Sequence, residues 1–170
     1  NPPLLSSLLD VQRIVLWESP VDQEEVLETL VKAACQGRNP SDAVAFLQAV
    51  REREAQGSTF FNEGVAFPHA RIGGLGQSLI ALGLTKMGIT DVTTEKTVEY
   101  VFLSLSPLEE PEVQVQLLAL AARTFQNRHL LQLLQSASDA DEVYAAIQEW
   151  ERSSSKPVVS DQNQQVKSGS

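Results

Sequence analysis

Cysteine and histidine are both scarce in this sequence. Its 170 residues include one cysteine, Cys35, and two histidines. A single cysteine excludes an internal disulfide, and one cysteine with two histidines is too few for the usual four ligands of a structural zinc site. We therefore expect no metal ion, and we expect a reducing compartment such as the cytoplasm.

Positive charge and long hydrophobic runs are also missing. Lys and Arg number 13 against 22 Asp and Glu, a formal net charge of −9, whereas a protein that binds nucleic acid needs a surplus of cations. The longest apolar runs, such as Leu79–Leu84 and Val101–Leu105, fall far short of the ~20 residues of a transmembrane helix. Hydrophobic residues still make up 42% of the chain, enough for a folded core. We expect a folded cytoplasmic protein, or the cytoplasmic domain of a membrane protein, with no transmembrane segment in this chain.

The common motifs of enzymes and cofactor sites fail on inspection. Gly74-Leu-Gly76 lacks the third glycine of a dinucleotide fingerprint and precedes a strand. Gly83 and Gly88 have phosphate-loop spacing, but Ile89 stands where a lysine is required. No serine lies in a Gly-x-Ser-x-Gly elbow, and Cys35 falls on the inward side of a predicted helix, as a core residue does. We therefore expect no cofactor.

Hydrophobic periodicity predicts nine elements in the order β-α-α-β-β-β-α-α-α. After a short extended segment, two helices begin at the capping signals Asp22 and Asn39-Pro40, and the second carries Val44, Leu47 and Val50 inward. The three β-type segments that follow are Gly64–Ile72, Ser78–Met87 and Thr97–Leu105. The last three helices begin near Glu110, Arg128 and Ser138. Because strands and helices are segregated, we predict an α+β fold with helices on both faces of a mixed β-sheet.

Two strands and the C-terminus carry further information. Ser78–Met87 is apolar at both odd and even positions, which predicts a strand buried on both faces. Pro68 has no N–H, so the first β-segment leaves the hydrogen-bond ladder or lies at the sheet edge there. From Ser153 onward no apolar period remains. We predict a folded domain over residues 1–152 and a flexible tail or linker over 153–170.

His69 has the most unusual neighbourhood in the sequence. Arg71 lies two positions on and therefore on the same side of an extended chain, while Arg53 and the hydroxyl-bearing pair Ser58-Thr59 lie upstream. A phosphorylated histidine requires such groups, because one ring nitrogen attacks phosphorus while guanidinium and hydroxyl groups hold the phosphoryl oxygens. On spacing alone a purely structural role for His69 stays open. We expect His129 to meet solvent near a helix start.

The segment from Arg53 to His69 resembles the active-site segment of a known bacterial family. It contains Arg53-Glu54, the turn Gly57-Ser58-Thr59, and Gly64-Val-Ala-Phe-Pro68-His69. Enzyme IIA (EIIA) domains of the phosphoenolpyruvate-dependent phosphotransferase system, of the fructose/mannitol/nitrogen-regulatory type, typically show Arg-Glu, Gly-Ser-Thr and Gly-x-Ala-x-Pro-His at this spacing. The likeness extends from about Leu5 to Glu151, and it implies a three-layer α/β/α fold with a mixed sheet.

The resemblance implies a phosphotransferase that works through a phosphohistidine. His69 matches the histidine that accepts a phosphoryl group from the carrier protein HPr and passes it to a IIB domain. Arg53 matches the arginine that balances the phosphate charge, and Ser58 and Thr59 match the hydroxyl-bearing turn beside it. Domains of this type do not bind sugar themselves, so no sugar is identified.

Two departures from the family pattern lie near the predicted phosphate. Phe60-Phe61-Asn62-Glu63-Gly64 replaces the common Gly-Ile-Gly-Asn-Gly, so we expect two phenyl groups that narrow access or form an apolar docking surface. Gln114 stands where a second histidine usually opens the long helix. Its amide can donate a hydrogen bond to phosphate but cannot be cationic, which weakens the stabilisation by ~1 kcal/mol.

Two functions therefore stay open. One is a phosphohistidine carrier with His69, Arg53, Arg71, Ser58, Thr59 and Gln114 around the phosphoryl group. The other is a non-catalytic EIIA-like regulatory or interaction domain attached to a membrane transporter, whose partner is that transporter.

Overall fold

The computed structural model describes residues 4–60, 64–94 and 96–154. The strands are β1 (Ile14–Trp17), β2 (Val65–Ala66), β3 (His69–Ile72), β4 (Leu79–Thr85) and β5 (Tyr100–Pro107). The helices are α1 (Leu5–Leu8), α2 (Gln23–Ala34), α3 (Pro40–Gln56), α4 (Pro111–Phe125), α5 (Arg128–Gln135) and α6 (Ala140–Ser154). The predicted order is confirmed, with two differences. The short helix α1 and a 3₁₀ turn precede β1, and the first β-segment is divided into β2 and β3.

The strands form one mixed sheet in the order β1, β4, β5, with β2 and β3 sharing the far edge. β4 is antiparallel to β5, and the other pairs are parallel. The register on β5 continues unchanged across the break between β2 and β3, since Val65 pairs with Tyr100 and His69 with Ser104. The break falls at Pro68, whose carbonyl still accepts a hydrogen bond from the Ser104 N–H at 3.1 Å. The predicted edge position of Pro68 is therefore confirmed.

Helices cover both faces of the sheet, which confirms the three-layer α/β/α arrangement. Val101 and Leu103 of β5 lie in the core beneath α2 and α3, and the alternate residues Tyr100 and Phe102 lie in the core beneath α4, α5 and α6. β4 is buried from Ile80 to Thr85, as predicted from its two apolar faces. The site described below lies at the edge strand, on the α4 face.

The helix starts follow their sequence signals. Asp22 caps α2 by accepting a hydrogen bond from the Glu25 N–H at 2.8 Å, and α3 begins at Asn39-Pro40. Val44, predicted to point inward, is 71% exposed. The buried stripe of α3 runs through Phe46-Leu47 and Val50, and Val44 lies to one side of it.

The C-terminal helix passes the predicted domain end, because α6 continues to Ser154. The division at residue 152 stays a prediction, and residues 155–170 of the predicted tail lie outside the described residues. Among the helices of the described ranges, none is long and apolar enough to cross a membrane.

Candidate functional site

His69 begins β3 and lies on the sheet face covered by α4. It is in register with Ser104, which has the same parity as the α4-side core residues Tyr100 and Phe102. His69 is 7% exposed, and its Nδ1 lies 2.8 Å from the carbonyl oxygen of Phe67. Because a carbonyl only accepts hydrogen bonds, Nδ1 carries the hydrogen, and the lone pair of the neutral ring is on Nε2. The backbone thus presents Nε2 as the nucleophilic nitrogen.

Arg71 lies on the same side of β3 as His69, as the alternation of an extended chain predicts. It is exposed and pairs in register with Ser106. Ser104 and Ser106 of β5 therefore face the same side as His69 and Arg71. Sequence reasoning missed both serines, although two serines at alternate positions near the end of an otherwise apolar strand are a readable signal.

Arg53, Ser58 and Thr59 come together in the turn that follows α3. Arg53 Nη1 donates a hydrogen bond to the carbonyl of Gly57 at 2.9 Å. The Glu54 carboxylate accepts hydrogen bonds from the N–H of Thr59 at 3.0 Å and from its Oγ1 at 2.5 Å. The Thr59 hydroxyl hydrogen is therefore already used.

Ser58 differs from Thr59 in the role of its hydroxyl. Ser58 Oγ accepts a hydrogen bond from the Phe60 N–H at 3.1 Å, so its own hydrogen remains available for donation. Phe60 is 2% exposed and packs in the core beneath α2 and α3. The expectation that it narrows access or forms a docking surface is wrong, because burial of the ring anchors the turn instead. Phe61 lies outside the described residues.

Gln114 lies in the first turn of α4 and is half-buried. It precedes the buried Leu117 by three positions, so both side chains lie on the same side of the helix. α4 packs on β5 and covers the sheet face on which His69 lies. Within residues 4–60, 64–94 and 96–154, no hydrogen bond joins His69 to Gln114, Arg53 or Arg71. Their grouping around a phosphoryl group stays a prediction.

The loops beyond β3 and β5 are tied together beside this face. The Glu109 carboxylate accepts a hydrogen bond from the Gly74 N–H at 3.0 Å, and this bond lowers the pKa of Glu109.

His129 is exposed in α5, as predicted. Across the part of the chain that the structure describes, no three His, Cys, Asp or Glu side chains gather closely enough to hold a metal ion.

The sequence matches a family model over residues 7–150. That family is the EIIA 2 group of the phosphoenolpyruvate-dependent sugar phosphotransferase system. The chain belongs to this family. EIIA proteins carry a phosphoryl group within the phosphotransferase system, and membership gives this chain the same general role.

Relatives and solved structures agree with membership of the EIIA family. The chain is 25% identical over 146 residues to the fructose-specific EIIA component of Haloferax volcanii, covering 85% of this chain and 95% of the relative. The nitrogen regulatory protein IIA-Ntr of Neisseria meningitidis superposes with a TM-score of 0.70 at 25% identity, over 84% of this chain and 98% of that one.

A second similar structure contains a partner. It is the complex of the mannitol enzyme IIA with phosphorylated enzyme IIB of Escherichia coli, with a TM-score of 0.62 at 16% identity, over 83% of this chain and 97% of that one. At this identity the likeness shows the EIIA fold.

Proposed function

We propose that this EIIA domain accepts a phosphoryl group on Nε2 of His69 from the phosphohistidine of an HPr-like carrier, and passes it to a IIB domain. The observation that carries the proposal is the hydrogen bond from His69 Nδ1 to the Phe67 carbonyl, which leaves the lone pair on Nε2. His69 also follows Pro68 in a segment that resembles the family's active-site pattern, and this segment lies within the residues 7–150 that match the family model.

The chemical step is an exchange of one P–N bond for another. The bond between phosphorus and the donor imidazole breaks as the bond from Nε2 to phosphorus forms, and no water or redox partner takes part. The phosphorylated ring keeps its Nδ1 hydrogen and is cationic, so the Phe67 carbonyl stabilises the product by accepting from it. Catalysis of such a transfer is mainly positioning and charge stabilisation.

Cations and hydroxyl donors would hold the three phosphoryl oxygens. Arg71 is on the same side of β3, and the Ser58 hydroxyl hydrogen is available for donation. Arg53 would contribute charge by releasing the Gly57 carbonyl, and Gln114 a neutral amide. Thr59 acts through Glu54 to shape the turn, because its hydroxyl hydrogen is already used.

The partners follow from the family role and from charge. The E. coli complex named above pairs an enzyme IIA with a phosphorylated IIB, and we assign this chain the same class of acceptor. A formal charge of −9 favours a partner with a basic docking face, because complementary potentials steer association.

The test is phosphorylation in a defined mixture. The purified chain is incubated with phosphoenolpyruvate, enzyme I and HPr, and intact mass and acid lability are measured. We expect one acid-labile phosphoryl group, which is lost in His69→Ala and kept in His129→Ala, the matched variant at the chain's other histidine. Label that survives His69→Ala, or no label when a control EIIA is labelled, would overturn the proposal. The second result would leave a domain of EIIA fold without carrier activity.

A further inference from the structure

Two buried serine hydroxyls in the site have no hydrogen-bond partner within the described residues. Ser104 and Ser106 are each 1% exposed, and Oγ of each is fully buried and unpaired. A buried hydroxyl without a partner destabilises the folded state, so such groups are rare in folded proteins. Two such hydroxyls on one strand therefore indicate a bound ligand, or another state of the protein, that supplies their hydrogen-bond partners.

The other buried hydroxyls near this sheet show that the fold can pair such groups. Thr85 Oγ1 donates to the carbonyl of Val98, and Thr124 Oγ1 donates to the carbonyl of Leu120 at 2.7 Å. Both partners are backbone carbonyls of the same domain. Among the residues that the structure describes, Ser104 and Ser106 are the exceptions, since the other buried hydroxyls have partners.

The two serines lie directly beside the phosphoryl acceptor. Ser104 is in register with His69 and Ser106 with Arg71, on parallel strands, and all four side chains face α4. Neighbouring strands are about 4.8 Å apart, so each serine adjoins its partner's side chain. The hydroxyls thus adjoin the histidine and the cation that the proposed function uses.

The hydrogen bond of Nδ1 determines which way Nε2 of His69 is directed. Nδ1 points back along β3 to the carbonyl of Phe67. The two nitrogens of an imidazole direct their hydrogen or lone pair to nearly opposite sides of the ring. Nε2 is therefore directed away from the Phe67 carbonyl.

We propose that the hydroxyls of Ser104 and Ser106 donate hydrogen bonds to the phosphoryl group carried on Nε2 of His69. This rests on the proposed function, since it needs His69 as the acceptor. The phosphoryl oxygens supply the acceptors that the unphosphorylated domain lacks, so the penalty of the two orphaned groups is relieved on phosphorylation. That difference between the two states is what stabilises the phosphorylated form.

The experiment compares the lifetime of the phosphohistidine in Ser104→Ala, Ser106→Ala and the double variant with that of the wild type. Phosphoramidate serves as a second donor beside HPr, because it breaks its own P–N bond, releases ammonia and phosphorylates the imidazole without a protein partner. We expect hydrolysis about fivefold faster for each hydroxyl removed, the equivalent of about 1 kcal/mol. We also expect unchanged or higher thermal stability of the unphosphorylated variants, since an unpaired group is removed.

Thr85→Val is the matched control, because it removes a buried hydroxyl that has a partner. It should lower the melting temperature without changing the phosphohistidine lifetime. Equal lifetimes in wild type and serine variants, with label on His69, would overturn this inference and leave the proposed function standing. Phosphorylation of His69 by phosphoramidate but not by HPr would contradict the carrier role alone, and the lifetimes could still be compared. No label from either donor would overturn both.

Discussion

Replacing Glu54 by alanine tests how the turn before the site is held. Its carboxylate accepts hydrogen bonds from the N–H and Oγ1 of Thr59 at 3.0 and 2.5 Å. Bonds to a charged acceptor contribute about 1.5–3 kcal/mol, and the half-buried position places this pair at the lower end. The negative charge in the last turn of α3 opposes the helix dipole at a cost of about 0.3–1 kcal/mol, which the substitution removes. We expect a net loss of about 1 kcal/mol in the free energy of unfolding.

Glu52→Ala is the matched control. Glu52 is an exposed residue near the same helix end and accepts one hydrogen bond, from Gln48 Nε2 at 3.3 Å, worth about 0.2–0.5 kcal/mol. Urea unfolding gives the two free energies, and amide hydrogen exchange reports on the turn. Glu54→Ala should also speed exchange of the Thr59 amide, whereas Glu52→Ala should not. Identical unfolding midpoints and identical Thr59 exchange in the two variants would refute the reasoning.

Three further predictions concern the scaffold. In Gly83→Ala the new Cβ would lie 2.9 Å from Trp17 Cζ3 and 3.2 Å from Leu30 Cδ1, so urea unfolding should show a loss of about 1–3 kcal/mol; no loss would contradict the packing argument. Asp22→Ala removes the cap of α2 and should cost about 1 kcal/mol in thermal unfolding, with an unchanged melting temperature as the contrary result. Burial raises the pKa of Tyr100 to about 12. Burial favours the neutral form of the Tyr100 hydroxyl. Its contribution to the free energy of unfolding is therefore intact below pH 10 and falls by up to about 3 kcal/mol as the pH rises toward 12. Tyr100→Phe should not show this loss of stability at alkaline pH. Identical dependence of unfolding free energy on pH in the wild type and this variant, between pH 9 and 11.5, would contradict the prediction.

Much of the scaffold could be predicted because its signals are local. The aspartate at position 22 and the proline at position 40 mark helix starts through groups within one turn. Pro68 marks the edge strand because its missing N–H is a property of one residue. The immediate neighbours of His69, and the resemblance that they carry, likewise mark its imidazole as the candidate acceptor.

The parts that sequence reasoning missed depend on contacts between distant segments. Ser104 adjoins His69 only because β3 and β5 pair in one particular register, and a shift by one residue would turn the serine to the other face. Phe60 was expected near the phosphate, but its burial depends on the space that α2 and α3 leave beside the sheet. The role of Thr59 at the phosphate stays a prediction, and only the turn geometry shows that Glu54 accepts its hydroxyl hydrogen.

The neutral side chain of Gln114 and the buried hydroxyls of β5 both affect how well the charge of the phosphoryl group is neutralised. A phosphoryl group carries close to two negative charges, and a histidine at position 114 would add a cation that Gln114 cannot supply. Ser104 and Ser106 add donors but no charge, so they offset part of the loss while leaving the group less neutralised. A less neutralised phosphoryl group is held less tightly in the ground state, which favours its onward transfer over its retention. In the proposed carrier, β5 would therefore supply part of the stabilisation that a histidine at position 114 would give.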